Sequence, residues 1–387
     1  MPRKSLTAGV IGTLTATLLV AVAQPSAAGT SAPVELARGG ANESVSFDVN
    51  SSDVSVGAVE SNGWQAPARW DRRGRLTVLP SLEGFPGAQA TAINDAGLTV
   101  GYAYGPDYAV RPLTWDRDGN RTELTVPGYA NAEAEAVNER GVVMGEVFTS
   151  GRRFRSVRWD NGRAALLPPL PGHTNTSGVS LLDDGTIIGS SSTDSPGETT
   201  VVPVRWNRSG AATPLPVPDG ATRVTVYSAS ATAAFGYVFN PNADGYFVRW
   251  DLAHGNALTR LAPLEEGALL VPQAVNDRGV IAGYSYKDGV PTAVTWDRVG
   301  VPTRLPALPG ASTAADINDS GESVGSANGH SVAVWSARGK ITPLEPVPGA
   351  GSTYPREINE RGSVLGFAMV QNGSGYANRA FLWPAHR

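Results

Sequence analysis

From residue 44 to residue 383 the chain runs in short stretches that alternate apolar with polar or small residues, and glycine-bearing turns cut them every few positions. A period of two is the mark of half-buried strands. The stretches recur as a set. An apolar residue, Asn, then Asp, Glu or Ser, any residue, Gly, two to three apolar residues and a closing Gly return about every 44 residues. The Asn falls at Asn50, Asn94, Asn138, Asn276, Asn318 and Asn359, and two degenerate units place Leu182 and Ala229 in its slot. All eight units keep the closing Gly, at Gly57, Gly101, Gly145, Gly189, Gly236, Gly283, Gly325 and Gly366, and each is followed by a Trp.

Each part of the repeat predicts an element. Asn-Asp-x-Gly is a reversing turn, because Asn bonds its own following backbone and Gly supplies positive φ. It joins a first strand such as Thr91 to Ile93 to a second such as Leu98 to Tyr104. A connector of variable length leads to a third strand ending on Trp70, Trp115, Trp159, Trp206, Trp250, Trp296, Trp335 or Trp383. A further Gly turn opens a short fourth strand that runs into Leu-Pro, and Pro confines it to an edge. Four antiparallel strands per unit are the blade of a propeller. The predicted fold is therefore all-β: an eight-bladed β-propeller of four-stranded antiparallel blades.

The chain's ends predict how it closes. The last unit stops four residues after Trp383, while Leu36 lies 14 residues before Asn50, as Leu124 lies 14 before Asn138. Val34 to Arg38 thus reads as an N-terminal strand completing the last blade, which leaves no sheet edge open there. Small residues such as Ala90, Ala92, Ala134 and Ala136 suit crowded innermost strands, and the periodic Trp residues suit the wide gaps between blades.

Composition adds compartment. Arg3 and Lys4, an uncharged apolar run from Leu6 to Ala23 and the small residues Ser26 to Ala28 read as a secretory signal over residues 1–28, with an uncleaved anchor as the alternative. Residues 29–387 then form one extracellular, secreted propeller domain of eight repeats. There is no Cys, so disulfides, thiolate chemistry and cysteine metal sites are excluded. Net charge is −4, or −6 without residues 1–28, which argues against a nucleic-acid partner. No second apolar run predicts a membrane span.

These residues resemble the extracellular HAF-repeat family, named for a His-Ala-Phe tripeptide before the Trp. Arg379-Ala380-Phe381-Leu382-Trp383 is similar to that tripeptide region, and Ile317-Asn318-Asp319-Ser320-Gly321 and Ile358-Asn359-Glu360-Arg361-Gly362 look like its central signature. Most units lack the tripeptide itself. The resemblance implies a bacterial extracellular repeat protein and no particular reaction.

Chemistry is sparse. Phosphate loops, nucleophile elbows and zinc helices are missing from the sequence. Asp116-Arg117-Asp118-Gly119-Asn120 has part of a calcium loop and reads as a turn, so neither a metal nor another cofactor is expected. Connectors between second and third strands vary from 10 to 17 residues, counted from closing Gly to Trp, and such loops on a rigid scaffold are where binding is placed. They carry the binding candidates Trp64, Tyr108, Tyr246 and Tyr376, aromatics that break the repeat and could stack on sugar rings. His173 and His330 are polar candidates on the same face. The leading expectation is a secreted, monomeric, non-enzymatic module binding a glycan or a cell-surface protein. A propeller-based carbohydrate-active enzyme, lyase or hydrolase, is the alternative, followed by a structural surface protein.

Overall fold

The computed structural model describes residues 32–385 apart from 149–153, 194–198, 241–243, 308–309, 329–330 and 374. The signal segment, His330 and His386 lie outside the described residues. Among the described residues the chain is all-β, with one short 3-10 turn at Pro106–Tyr108, and no helix is long and apolar enough to cross a membrane.

The four-strand unit forms as patterned. Unit one runs Glu43–Val49, Ser55–Ser61, Trp64–Trp70 and Leu76–Val78, antiparallel and in chain order. The first strands of the following units are Gly87–Ile93, Asn131–Val137, Asn175–Leu181, Arg223–Ala229, Leu269–Val275, Ser312–Ile317 and Ala350–Ile358. Single parallel bridges, Arg155 to Thr176 and Val201 to Arg223, link the sheets of units three, four and five. Unit eight has three strands of its own, and its third, Gly375–Trp383, pairs antiparallel with Val34–Glu35.

A bulge in every first strand explains the closing Gly. The register shifts between Ser46 and Asp48, Ala90 and Ala92, and Ala134 and Ala136, and likewise in the other five units. The kinked strand pushes a carbonyl onto its partner. A Cβ on Gly145 would sit 1.8 Å from the Glu133 carbonyl oxygen, and one on Gly101 2.0 Å from that of Gln89. Close approach, rather than positive φ, fixes glycine here.

The same bulge corrects the degenerate fifth unit. Its shift falls between Val226 and Ser228, so Ser230 and not Ala229 stands in the Asn slot, and the turn is one residue shorter.

The eight periodic Trp residues lie in the seams between units, each with at most 1% of its surface exposed. Each indole N–H donates to a carbonyl in the crossing that precedes its unit, as from Trp115 to Pro80 (2.9 Å) and from Trp296 to Ala262 (2.8 Å). Trp70 finds the equivalent carbonyl on Ala37, just past the N-terminal strand (2.7 Å). Leu36, fully buried, packs with Trp70, Leu365 and Leu382 as Leu79 packs with Trp115 in the next seam.

Candidate functional site

Antiparallel alternation sends the turns of the unit to one end of the body and the second-to-third connectors to the other. The two ends carry different chemistry. At the turn end, each slot Asn works twice: Asn94 Oδ1 accepts from Leu98 N (2.9 Å), while its Nδ2 donates to the Asn138 carbonyl of the next unit (2.9 Å). Asn50, Asn138, Asn276 and Asn318 reach the next unit in the same way, and Ser230 Oγ donates to the Asn276 carbonyl (2.9 Å). Asn359 Nδ2 donates to the Asn50 carbonyl, from unit eight to unit one (2.9 Å). Leu182 has no such group; there Ser180 Oγ accepts from Ala229 N instead (2.9 Å).

The acid after the Asn slot is the second link. Asp95 accepts from Ser51 N (2.7 Å), Glu139 from Asp95 N (3.0 Å), Asp319 from Asp277 N (2.7 Å) and Glu360 from Asp319 N (2.9 Å). The sequence presented these acids as turn residues, whereas they stitch units together and line the mouth of the axis.

At that end sits a pocket lined by Asp95, Glu139, Asp316, Glu357 and Glu360, together with Asn50 and Asn359. It has room for about one water molecule. Asp48 and Asp316 are buried, and each accepts an amide of the following unit, from Ile93 N (2.7 Å) and Ile358 N (3.0 Å). Glu357 and Asp48 are in hydrogen-bonding contact. Burial, then the neighbouring Asp48 and Asp316 carboxyls, push Glu357 well above the usual carboxylate range. Burial also raises Asp48, against the hydrogen bonds it accepts. Sequence reasoning missed this group; its signal was an acid two places before the Asn slot in three units that neighbour one another around the seam, where most units carry Ala or Ser.

The connector end holds the aromatic candidates, though only Tyr108 is in a connector. Pro106–Tyr108 is a tight turn in which Asp107 and Tyr108 both have left-handed φ, 57° and 59°, closed by Gly105 N to the Ala109 carbonyl (2.8 Å). Left-handed φ strains a bulky residue. The turn leaves Tyr108 93% exposed. Trp64 opens the third strand of unit one, 46% exposed and tilted on Tyr104 at 6.2 Å. Tyr376 is on the third strand of unit eight, 62% exposed, its ring over Gly351. Tyr246 differs: it opens a strand of unit five, is half-buried against the core and is capped by the Arg260 guanidinium at 4.4 Å. Trp64, Tyr108 and Tyr376 thus come from three consecutive units, and Tyr246 from a remote one.

His173 is held by Ser191, Nδ1 to Oγ 3.1 Å, beside the crossing into unit four. Asp116 is a turn: its Oδ1 accepts from Asp118 N and Asn120 N (2.9 and 2.8 Å). Among the described residues no group of three or more His, Asp or Glu is arranged to hold a metal ion.

Repeated four-stranded antiparallel sheets, packed through Trp-filled seams, match solved structures of one kind. The fold is a β-propeller. One of two prolyl endopeptidases is similar over 88% of this chain and 54% of its own, with a TM-score of 0.54 and 13% identity. The β-propeller domain of the Trilobed protease from Pyrococcus furiosus, which has an open velcro topology, is similar over 79% of this chain and 99% of its own, with a TM-score of 0.51 and 11% identity. Virginiamycin B lyase from Staphylococcus aureus covers 76% of this chain and 94% of its own, with a TM-score of 0.45 and 13% identity. No protein-family profile matches the chain, and no curated protein matches it in sequence. Identity at this level speaks for the fold alone.

Proposed function

We propose that the eight units close into one eight-bladed propeller latched by Val34–Glu35, and that this secreted body binds a glycan on the connector end of units eight, one and two. The ring reading is supported by the slot hydrogen bonds, which return from Asn359 to Asn50. The binding reading is carried by one observation: Trp64, Tyr108 and Tyr376 offer exposed rings on consecutive units, and Tyr108 is held outward by a strained turn. Proteins keep such strain where a side chain is being presented. Flat aromatic faces stack on sugar rings, and the exposed Asn372 nearby would bond hydroxyls at the ring edge. The same features set this propeller apart from a purely structural surface protein.

A second reading, a carbohydrate-active enzyme of the lyase or hydrolase kind, has its own residues. Glu357, raised well above the usual carboxylate range beside Asp48, is a perturbed acid of the kind that marks reaction sites, though two carboxyls in direct contact are closer than glycoside hydrolysis needs. A pocket sized for one water and lying at the opposite end from the aromatics places this reading second.

One experiment separates them. Immobilised polysaccharides are offered to the protein, scoring retention and, in the same wells, new reducing ends or unsaturated sugars. Binding without product is expected, weakened about fivefold or more by Tyr108→Ala or Trp64→Ala and unchanged by Tyr246→Ala. Product formation that Glu357→Gln abolishes would establish the enzyme instead; no retention on any polysaccharide would remove the glycan reading.

A further inference from the structure

We propose that the junction of unit eight with unit one is a proton-dependent clasp, in which Asp48 and Glu357 share one proton across the seam and release each other when it leaves. The clasp rests on the closed ring proposed above. Its basis is how the acid at this junction departs from the repeat. Two places before the Asn slot, units two, three and six carry Ala92, Ala136 and Ala274, whereas Asp48, Ser180 and Asp316 each accept the amide of the residue before the next unit's slot. Glu357 stands at that position in unit eight, and the amide it would meet by this pattern is Val49 N–H. Asp48 Oδ1 already holds that amide, at 2.8 Å. Glu357, longer by one methylene, meets the Asp48 carboxyl instead.

Two carboxyls in hydrogen-bonding contact hold together only while one is protonated. Glu357 donates and Asp48 accepts, the direction in which the contact raises one group and lowers the other. The surroundings reinforce the need for that proton. Asp316 faces the pair from unit seven, Asp95, Glu139 and Glu360 face it from the mouth, and Arg356 is the cation nearby, donating to the Ser46 carbonyl across the same seam (3.3 Å). When the proton leaves to solvent, two like charges remain in contact, with the Asp316 carboxyl close enough to disfavour them further.

The sign follows from linkage. An unfolded Glu ionises near pH 4.3, and Glu357 in the fold does so well above that. Between those values the folded state binds more protons than the unfolded one, so stability falls as pH rises. The stabilisation that Glu357 contributes is fully present below about pH 4 and is lost as pH climbs through its folded value.

Hydrogen exchange on the full chain reads the seam directly, in peptides covering 44–50 and 356–360, corrected for intrinsic rates, from about pH 5 to about pH 8. Relative to Glu357→Gln, whose amide donates to Asp48 without a proton to lose, the parent should lose protection about tenfold or more across that range. Glu357→Ala, which sets at this position the residue that units two, three and six carry, should flatten the profile too and serves should Glu357→Gln fold poorly. Parallel, well-protected profiles in the parent and both variants would overturn the clasp while leaving the ring intact. Fast exchange at every pH in all three would overturn the ring, and the clasp with it.

Discussion

Asn at the end of a first strand must accept from its own turn and donate to its neighbour, and its amide carries one atom for each task. Asn94→Asp would keep the acceptor and lose the donor, setting a carboxylate against the Asn138 carbonyl at a site with 2% exposure. The substitution is therefore expected to cost about 1–3 kcal/mol, measured by urea unfolding. Glycines divide by a different criterion. Gly145→Ala should destabilise strongly, because its Cβ lands 1.8 Å from a backbone oxygen that the bulge cannot withdraw. Gly162→Ala, at a turn with φ of 75° and open space around it, should cost only about 1–2 kcal/mol. The Gly pattern and the positive φ of its turns could be read in the sequence, but the reason for the closing Gly could not. Spacing shows that Gly recurs; only the bulge shows which carbonyl it must avoid. For the same reason Ala229 took the slot that belongs to Ser230: alignment on the closing Gly cannot see a turn shortened by one residue.

At the scale of the four-strand unit, the seam carries the energetics. Trp115 buries its whole surface and bonds Pro80, so Trp115→Ala should lose roughly 3–5 kcal/mol through a cavity between units. Tyr108→Ala removes a ring that touches almost nothing and should leave the melting temperature within error, so any loss it causes belongs to binding. Strand order and the Trp at the end of each third strand were legible because turn chemistry and a period of two are local. Exposure was not. Trp64, Tyr246 and Tyr376 read as connector residues and stand on strands, and Tyr246 is turned into the core by Arg260, a contact set by the partner strand. The axial acids were hidden for a related reason. Asp48, Asp316 and Glu357 are far apart in sequence, and only the packing of first strands around one axis brings them together.

The proposed ring depends on one junction that the chain does not make by continuing. In it seven seams join units that follow one another, and the eighth joins Gly375–Trp383 to Val34–Glu35 and unit eight to Asn50 and Ser46. Leu36 fills the seam core there and Ala37 receives the Trp70 indole, so the N-terminal strand does what a fourth strand and its crossing do elsewhere. Its removal should strip a fully buried Leu and a Trp hydrogen bond from the ring and open a sheet edge. Thermal unfolding of the protein lacking residues 33–38, against the intact chain at equal pH, is the most direct test. A closed ring predicts a single transition lowered by several degrees, because the loss at one seam is felt by all. An unchanged melting temperature would contradict the latch and leave an open array of units in its place.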